Sequence, residues 1–201
     1  MFEVIAGSGH CGTMWLSQVL DGIPGRNWFH EKKTDIVSMP WYVADLNAPD
    51  SPLFEHYWTY AQSWLDAGHF GDSNSWPPEM LPAVHDVMPI DRVIYLTRDK
   101  ADQLHSLTTK SPVWSKALYT VAATRRLDLY AEISGMEKDV SLLVEANDFM
   151  PGWLRDNGLY VEVYSLEELT TDIRPLRELA PLAEADLLAW QNKKINQKVL
   201  A

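Results

Sequence analysis

Phe2-Glu3-Val4-Ile5-Ala6-Gly7-Ser8-Gly9-His10-Cys11-Gly12-Thr13-Met14-Trp15-Leu16 is the stretch that decides the fold. An apolar run ends in glycine, a glycine-rich turn follows, and Gly12-Thr13 opens a segment in which Trp15, Leu16, Val19 and Leu20 recur at helical spacing. The order is strand, loop, helix. Farther along, residues 27–31 read as a second short strand, and residues 52–66 carry Leu53, Phe54, Tyr57, Trp58, Ala61 and Leu65 in helical register. His69-Phe70-Gly71-Asp72 closes a third strand ahead of a helix begun by Pro77-Pro78. Arg92-Val93-Ile94-Tyr95-Leu96-Thr97 is the clearest buried strand, β-branched and aromatic between charged ends. Helices are expected over 101–109, 113–133 and 140–155, a last strand over 159–164 and a last helix over 184–195. This alternation predicts an α/β fold, a central parallel sheet of about four to five strands with helices on both faces. Residues 37–51 are poorest in periodicity and read as a long loop.

Between a strand and a helix, the turn Gly7-Ser8-Gly9-His10-Cys11-Gly12-Thr13 offers successive backbone N–H groups and a helix N-terminus, a ready anion cradle. It comes close to the GxxxxGK[ST] phosphate loop, whose lysine holds the β and γ phosphates. Here Thr13 follows Gly12 directly, so the lysine is missing and triphosphate hydrolysis lacks its main cation. A glycine-rich turn without a ligand is the plain structural alternative.

The run Gly9-His10-Cys11-Gly12-Thr13-Met14-Trp15-Leu16 resembles the 5′-phosphosulfate loop of the sulfotransferases that use 3′-phosphoadenosine 5′-phosphosulfate (PAPS). A second block, Val93 to Asp99 with Ser106 eight residues after Arg98, is similar to that family's 3′-phosphate-binding strand and helix. The resemblance implies a three-layer P-loop fold, a single sulfotransferase-like domain over 1–201, and a 3′-phosphate gripped by Arg98 and Ser106. An arginine fork at a strand end and a hydroxyl on the following helix can converge on one anion. Taken alone, an arginine after a buried strand is an ordinary surface charge. The resemblance further implies cofactor contacts from Gly9, His10, Cys11, Gly12, Thr13 and Met14, with Trp15 against adenine. Lys193 and Lys194 look like part of a cofactor-covering C-terminal segment, and Gly71-Asp72-Ser73 resembles a weaker block near the cofactor. PAPS would be co-substrate, 3′-phosphoadenosine 5′-phosphate the product, and no metal is required.

His10 stands where the family keeps lysine or arginine, and Met14 where it keeps a second threonine. A free imidazole titrates near 6.5 and is mostly neutral at pH 7 unless a bound phosphosulfate holds its proton on. These departures bear on catalytic efficiency more than on binding, since the N–H cradle and Thr13 remain. Sulfuryl transfer needs alignment of nucleophile, sulfur and leaving oxygen, charge neutralisation on the leaving phosphate, and removal of the acceptor's proton. His10 is a candidate donor to the leaving group. Glu31 is the first candidate base and His30 the second, at the place where family branches keep a catalytic carboxylate or histidine. Lys32 and Lys33 would keep Glu31 ionised, and a solvent-facing pair opening a loop is the plainer reading of His30-Glu31.

Composition bounds the remaining classes. With 201 residues, 46% hydrophobic and 22% charged, the chain has the balance of one ordinary globular domain. Its 17 basic against 28 acidic residues give a net charge of −11, which disfavours nucleic acid as a partner. Basic residues without acids collect between Gln103 and Leu127 and after Trp190, which suits a small polyphosphate ligand or two solvated helix faces. No apolar run is long enough to span a membrane. The lone Cys11 and the start Met1-Phe2-Glu3-Val4 lead to the expectation of a cytoplasmic protein. Nine tryptophans, several of them between Trp28 and Trp76, mostly serve packing. Two or three lining a pocket would favour a small-molecule, sugar or lipid-like acceptor. Two alternatives stay open, a P-loop small-molecule or nucleotide kinase and a catalytically weakened PAPS-binding protein.

Overall fold

A computed structural model describes residues 1–30, 68, 70–73, 78–110 and 141–193. Among them are strands β1 (Glu3–Ala6), β2 (Trp28–His30), β3 (Gly71–Ser73), β4 (Arg92–Thr97) and β5 (Val161–Ser165). The helices are α1 (Thr13–Asp21), α2 (Leu81–Val87), α3 (Lys100–Lys110), α4 (Ser141–Glu145), α5 (Met150–Asp156), α6 (Leu166–Thr171), α7 (Ile173–Leu179) and α8 (Glu184–Asn192). Short 3-10 turns cover Pro78–Met80 and Ala146–Asp148. The strands form one five-stranded sheet in the order β2-β3-β1-β4-β5, and each neighbouring pair is parallel. The α/β architecture and parallel sheet expected from the alternation are present. The expected loop over 37–51 and helices over 52–66 and 113–133 lie outside the described residues.

Alternation along the central strands sends side chains to two covered faces. Val4 and Ala6 of β1 and Val93 and Tyr95 of β4 pack with Leu81, Val84, Leu143, Met150 and Leu154. Ile5, Ile94 and Leu96 face the other way, against Leu16 and Val19 of α1, Leu166 and Leu169 of α6, Leu176 of α7 and Leu187 of α8. Glu3 is buried at the start of β1, and its carboxylate pairs at 2.8 Å with Arg92, its register partner on β4.

Among the places that differ from the sequence reading, which include the end of the last helix at Asn192 rather than 195, three have a local reason. The helix expected over 140–155 is broken at 146–149: Asn147 turns its amide onto Ser8, Tyr95 and Gln103, and Pro151 sits in the first turn of α5, where a missing N–H costs nothing. The last strand starts at Val161 because the N–H of Leu159 is spent on the Leu154 carbonyl. Nothing is expected between the last strand and residue 184, yet α6 and α7 form there. Each is opened by a side-chain cap, Ser165 accepting from the Glu168 N–H and Asp172 from the Arg174 N–H.

Leu154 is fully buried and Leu188 is 44% exposed. Leu154→Ala should therefore cost roughly 2–5 kcal/mol in urea unfolding, and Leu188→Ala within about 0.5 kcal/mol. Equal losses would contradict the packing of α5 on the sheet.

Candidate functional site

Loop residues 7–12 leave the carboxyl end of β1, the strand whose neighbours β3 and β4 lie on opposite sides. The connection from β1 leads toward β2 and that from β4 toward β5, so the ends of β1 and β4 form the switch point at which open α/β sheets have their ligand crevice. Glycine is required twice in the loop. A Cβ on Gly7 would meet Cys11 Sγ at 2.2 Å and the Leu96 carbonyl at 2.8 Å. Gly12 has φ +94°, and a Cβ there would meet Leu166 at 2.5 Å. Between them Gly9 and His10 also have positive φ, 90° and 54°, and for histidine this is an unusual backbone state. Helix α1 then begins with neither a side-chain cap nor an acid in its first turn, so its positive end has no negative partner within its own first turn.

The second side of the crevice comes from β4 and α3. The Arg98 guanidinium donates through Nη1 to the His10 carbonyl at 3.2 Å, and Nη2 lies 3.9 Å from Asp102. Its Nε is buried without a hydrogen-bond partner among the described residues. Ser106, buried on α3, places Oγ 2.9 Å from His10 Nδ1. His10 of the first sequence block is thus in contact with both Arg98 and Ser106 of the second. The nearby Lys100 has its charge engaged by Glu145 at 2.7 Å and Asp148 at 2.6 Å.

The other sequence candidates are placed differently. Thr13 is buried at the start of α1 and Met14 is half exposed. Cys11 is buried among Ile5, Leu16 and Leu96. Burial pushes its thiol up from 9.0 to about 12, against the opposing pull of the Gly9, Cys11 and Thr13 backbone N–H groups and of the Arg98 charge. Trp15 is buried in the same cluster and donates its indole N–H to the Trp190 carbonyl at 3.2 Å. Lys193 lies 3.5 Å over the Trp190 ring. It lines a cavity of about 270 Å³ with Gly22 at the far end of α1, and so is not gathered with the loop. His30 Nδ1 is 2.9 Å from Ser73 Oγ, its register partner on β3, at the carboxyl edge that also carries the loop. Glu31, Lys32, Lys33 and Lys194 lie outside the described residues.

Sequence reasoning missed Gln103, Asn147 and Tyr95, buried polar side chains beneath the loop. Gln103 could have been found, since it shares a helix face with Ser106 and Leu107, three and four residues on. Among the described residues no group of three or more His, Cys, Asp or Glu side chains is gathered for a metal, and no helix is long and apolar enough to cross a membrane. No family model matches the sequence, and no curated protein is similar to it.

The Cys11 thiol yields a pH prediction. Its native pKa lies above the unfolded value, so the native state holds the proton more tightly. The stabilisation is full below 9.0 and is lost as pH rises from there through about 12. Relative to Cys11→Ala, the wild type should lose stability above pH 9, read by urea unfolding at successive pH values. Parallel profiles would refute the buried neutral thiol.

Proposed function

We propose that the chain is a PAPS-dependent sulfotransferase, moving a sulfuryl group to a hydroxyl or amine of a small-molecule, sugar or lipid-like acceptor. The observation that carries this reading is the meeting of Arg98 and Ser106 with the loop at the end of β1, where the Arg98 Nε has no acceptor among the described residues. A partly buried guanidinium with one unpartnered N–H fits a phosphate, and an α1 N-terminus without a side-chain cap fits a second anion.

In this reading Arg98 and Ser106 bind the 3′-phosphate, while Thr13 and the backbone N–H groups of the loop and of the first turn of α1 hold the 5′-phosphosulfate. PAPS, when bound, supplies the sulfuryl group and leaves as 3′-phosphoadenosine 5′-phosphate. Glu31 or His30 takes the proton that the acceptor loses. His10 Nδ1 and Ser106 Oγ share a hydrogen bond, and with Nδ1–H donating to the hydroxyl the serine proton can still go to the ligand. Stacking adenine on Trp15 would require uncovering a buried ring.

Calorimetry with 3′-phosphoadenosine 5′-phosphate and with Mg-ATP tests the reading. Preference for the first supports it, and preference for Mg-ATP favours the kinase alternative. Arg98→Ala should weaken binding of 3′-phosphoadenosine 5′-phosphate by roughly 2–4 kcal/mol, as loss of a charge-assisted buried contact does. Adenosine 5′-phosphate, which lacks the 3′-phosphate, should lose far less. Equal losses would mean that Arg98 only carries the His10 carbonyl. Transfer of labelled sulfate from PAPS to molecules of a cell extract then separates an active enzyme from a binding protein.

A further inference from the structure

Beneath the loop, buried side chains from three elements form a hydrogen-bonded network whose polarity is fixed at one point. The Gly9 carbonyl can only accept, so the group 2.6 Å away must be the amide nitrogen of Gln103. Nε2 also donates to Ser8 Oγ at 2.9 Å. Gln103 Oε1 must then accept from Asn147 Nδ2 at 2.9 Å. That orientation leaves Asn147 Oδ1 to accept from Ser8 Oγ at 2.9 Å and from the Tyr95 hydroxyl at 3.0 Å. Each amide is thereby held in one orientation. The Ser8 proton is committed to Asn147 and its lone pair to Gln103, so the hydroxyl is a structural group of the loop rather than a donor to a ligand.

The held carbonyl has a consequence for the opposite side of its peptide. In a trans peptide the C=O of Gly9 and the N–H of His10 point in opposite directions. Fixing the carbonyl onto α3 therefore directs that N–H away from α3. This peptide joins Gly9 and His10, both at positive φ, and a histidine stays in that state only when its surroundings hold it there. The surroundings are Gln103 on the Gly9 carbonyl, Arg98 on the His10 carbonyl and Ser106 on the His10 ring.

We propose that Gln103 is a positioning residue that sets the conformation of the Gly9–His10 peptide, with Asn147 and Tyr95 fixing the orientation of its amide. The inference rests on the reading of the loop as an anion site; its structural half can be tested without any ligand. Gln103→Leu removes both donors at similar volume, and Tyr95→Phe removes only the hydroxyl at the far end of the network.

Amide hydrogen exchange of the ligand-free protein, followed by mass spectrometry, should show peptides covering 7–13 exchanging about tenfold faster in Gln103→Leu, with β1 and β4 unchanged. Tyr95→Phe should act in the same direction by a smaller factor, and it decides the matter should the leucine variant fail to fold. Unchanged loop exchange, or an equal rise in the strands, overturns the proposal. In the second arm, Gln103→Leu should weaken 3′-phosphoadenosine 5′-phosphate about tenfold more than adenosine 3′-phosphate, which lacks the 5′ group. Equal weakening would assign Gln103 to general stability and overturn its positioning role. Failure of the wild type to bind either nucleotide would overturn the PAPS reading, while the exchange experiment still decides the role of Gln103.

Discussion

Parallel pairing of β1 with β4, with Glu3 opposite Arg92 and Ala6 opposite Tyr95, brings the ends of two strands remote in sequence to the same edge of the sheet. The loop after Ala6 and the residues after Thr97 consequently share one crevice, and the contacts of His10 with Arg98 and Ser106 follow from it. The register is guarded at the opposite end of the strands. Glu3 is buried with its carboxylate on Arg92, and a slip of one residue would strand that charge and send every apolar side chain of β1 to the wrong face. Replacing the pair by apolar residues need not lower stability, whereas breaking it would.

The loop is held by few groups, and magnitudes show that they suffice. A non-glycine residue in a left-handed conformation costs on the order of 1–3 kcal/mol. A neutral hydrogen bond returns about 1 kcal/mol and a charge-assisted one about 1.5–3 kcal/mol. Gln103 on the Gly9 carbonyl, Arg98 on the His10 carbonyl and Ser106 on the His10 ring together offset the strain at His10. Arg98 does so through Nη1, while its Nε has no acceptor among the described residues.

Strands β1 and β4 were legible in the sequence because each carries an uninterrupted apolar run, Val4 to Ala6 and Val93 to Leu96, as a strand covered on both faces does. The loop was legible through its glycines; Arg98 and Ser106 were singled out by the resemblance of their block, and the structure brings both against His10. What escaped the reading depends on tertiary partners. The break after α4 comes with the side-chain bonds of Asn147 to residues of the loop, β4 and α3, while local helical periodicity runs straight through it. Helices α6 and α7 are too short for periodicity to register, although Ser165 with Glu168 spells a capping box that could have revealed the first. Trp15 follows the helical spacing that groups it with Leu16, Val19 and Leu20: its ring is turned into the core and its N–H onto a carbonyl of α8, whereas the adenine contact was implied by the resemblance alone.

Charge balance in the crevice bears on which nucleotide suits it. A nucleoside triphosphate concentrates negative charge on its β and γ phosphates, and loops that bind it supply a lysine between the second glycine and the hydroxyl. Here Gly12 is followed at once by Thr13, and the nearby Lys100 is already paired with Glu145 and Asp148. The cationic groups described at the crevice are the Arg98 guanidinium and the partial charge at the start of α1. The two are chemically unlike, one a planar fork and the other a set of backbone N–H groups. Such an arrangement is poorly matched to a run of three phosphates on one side of a ribose. It is better matched to two separate anionic groups of modest charge, which is how PAPS divides its charge between a 3′-phosphate and a 5′-phosphosulfate.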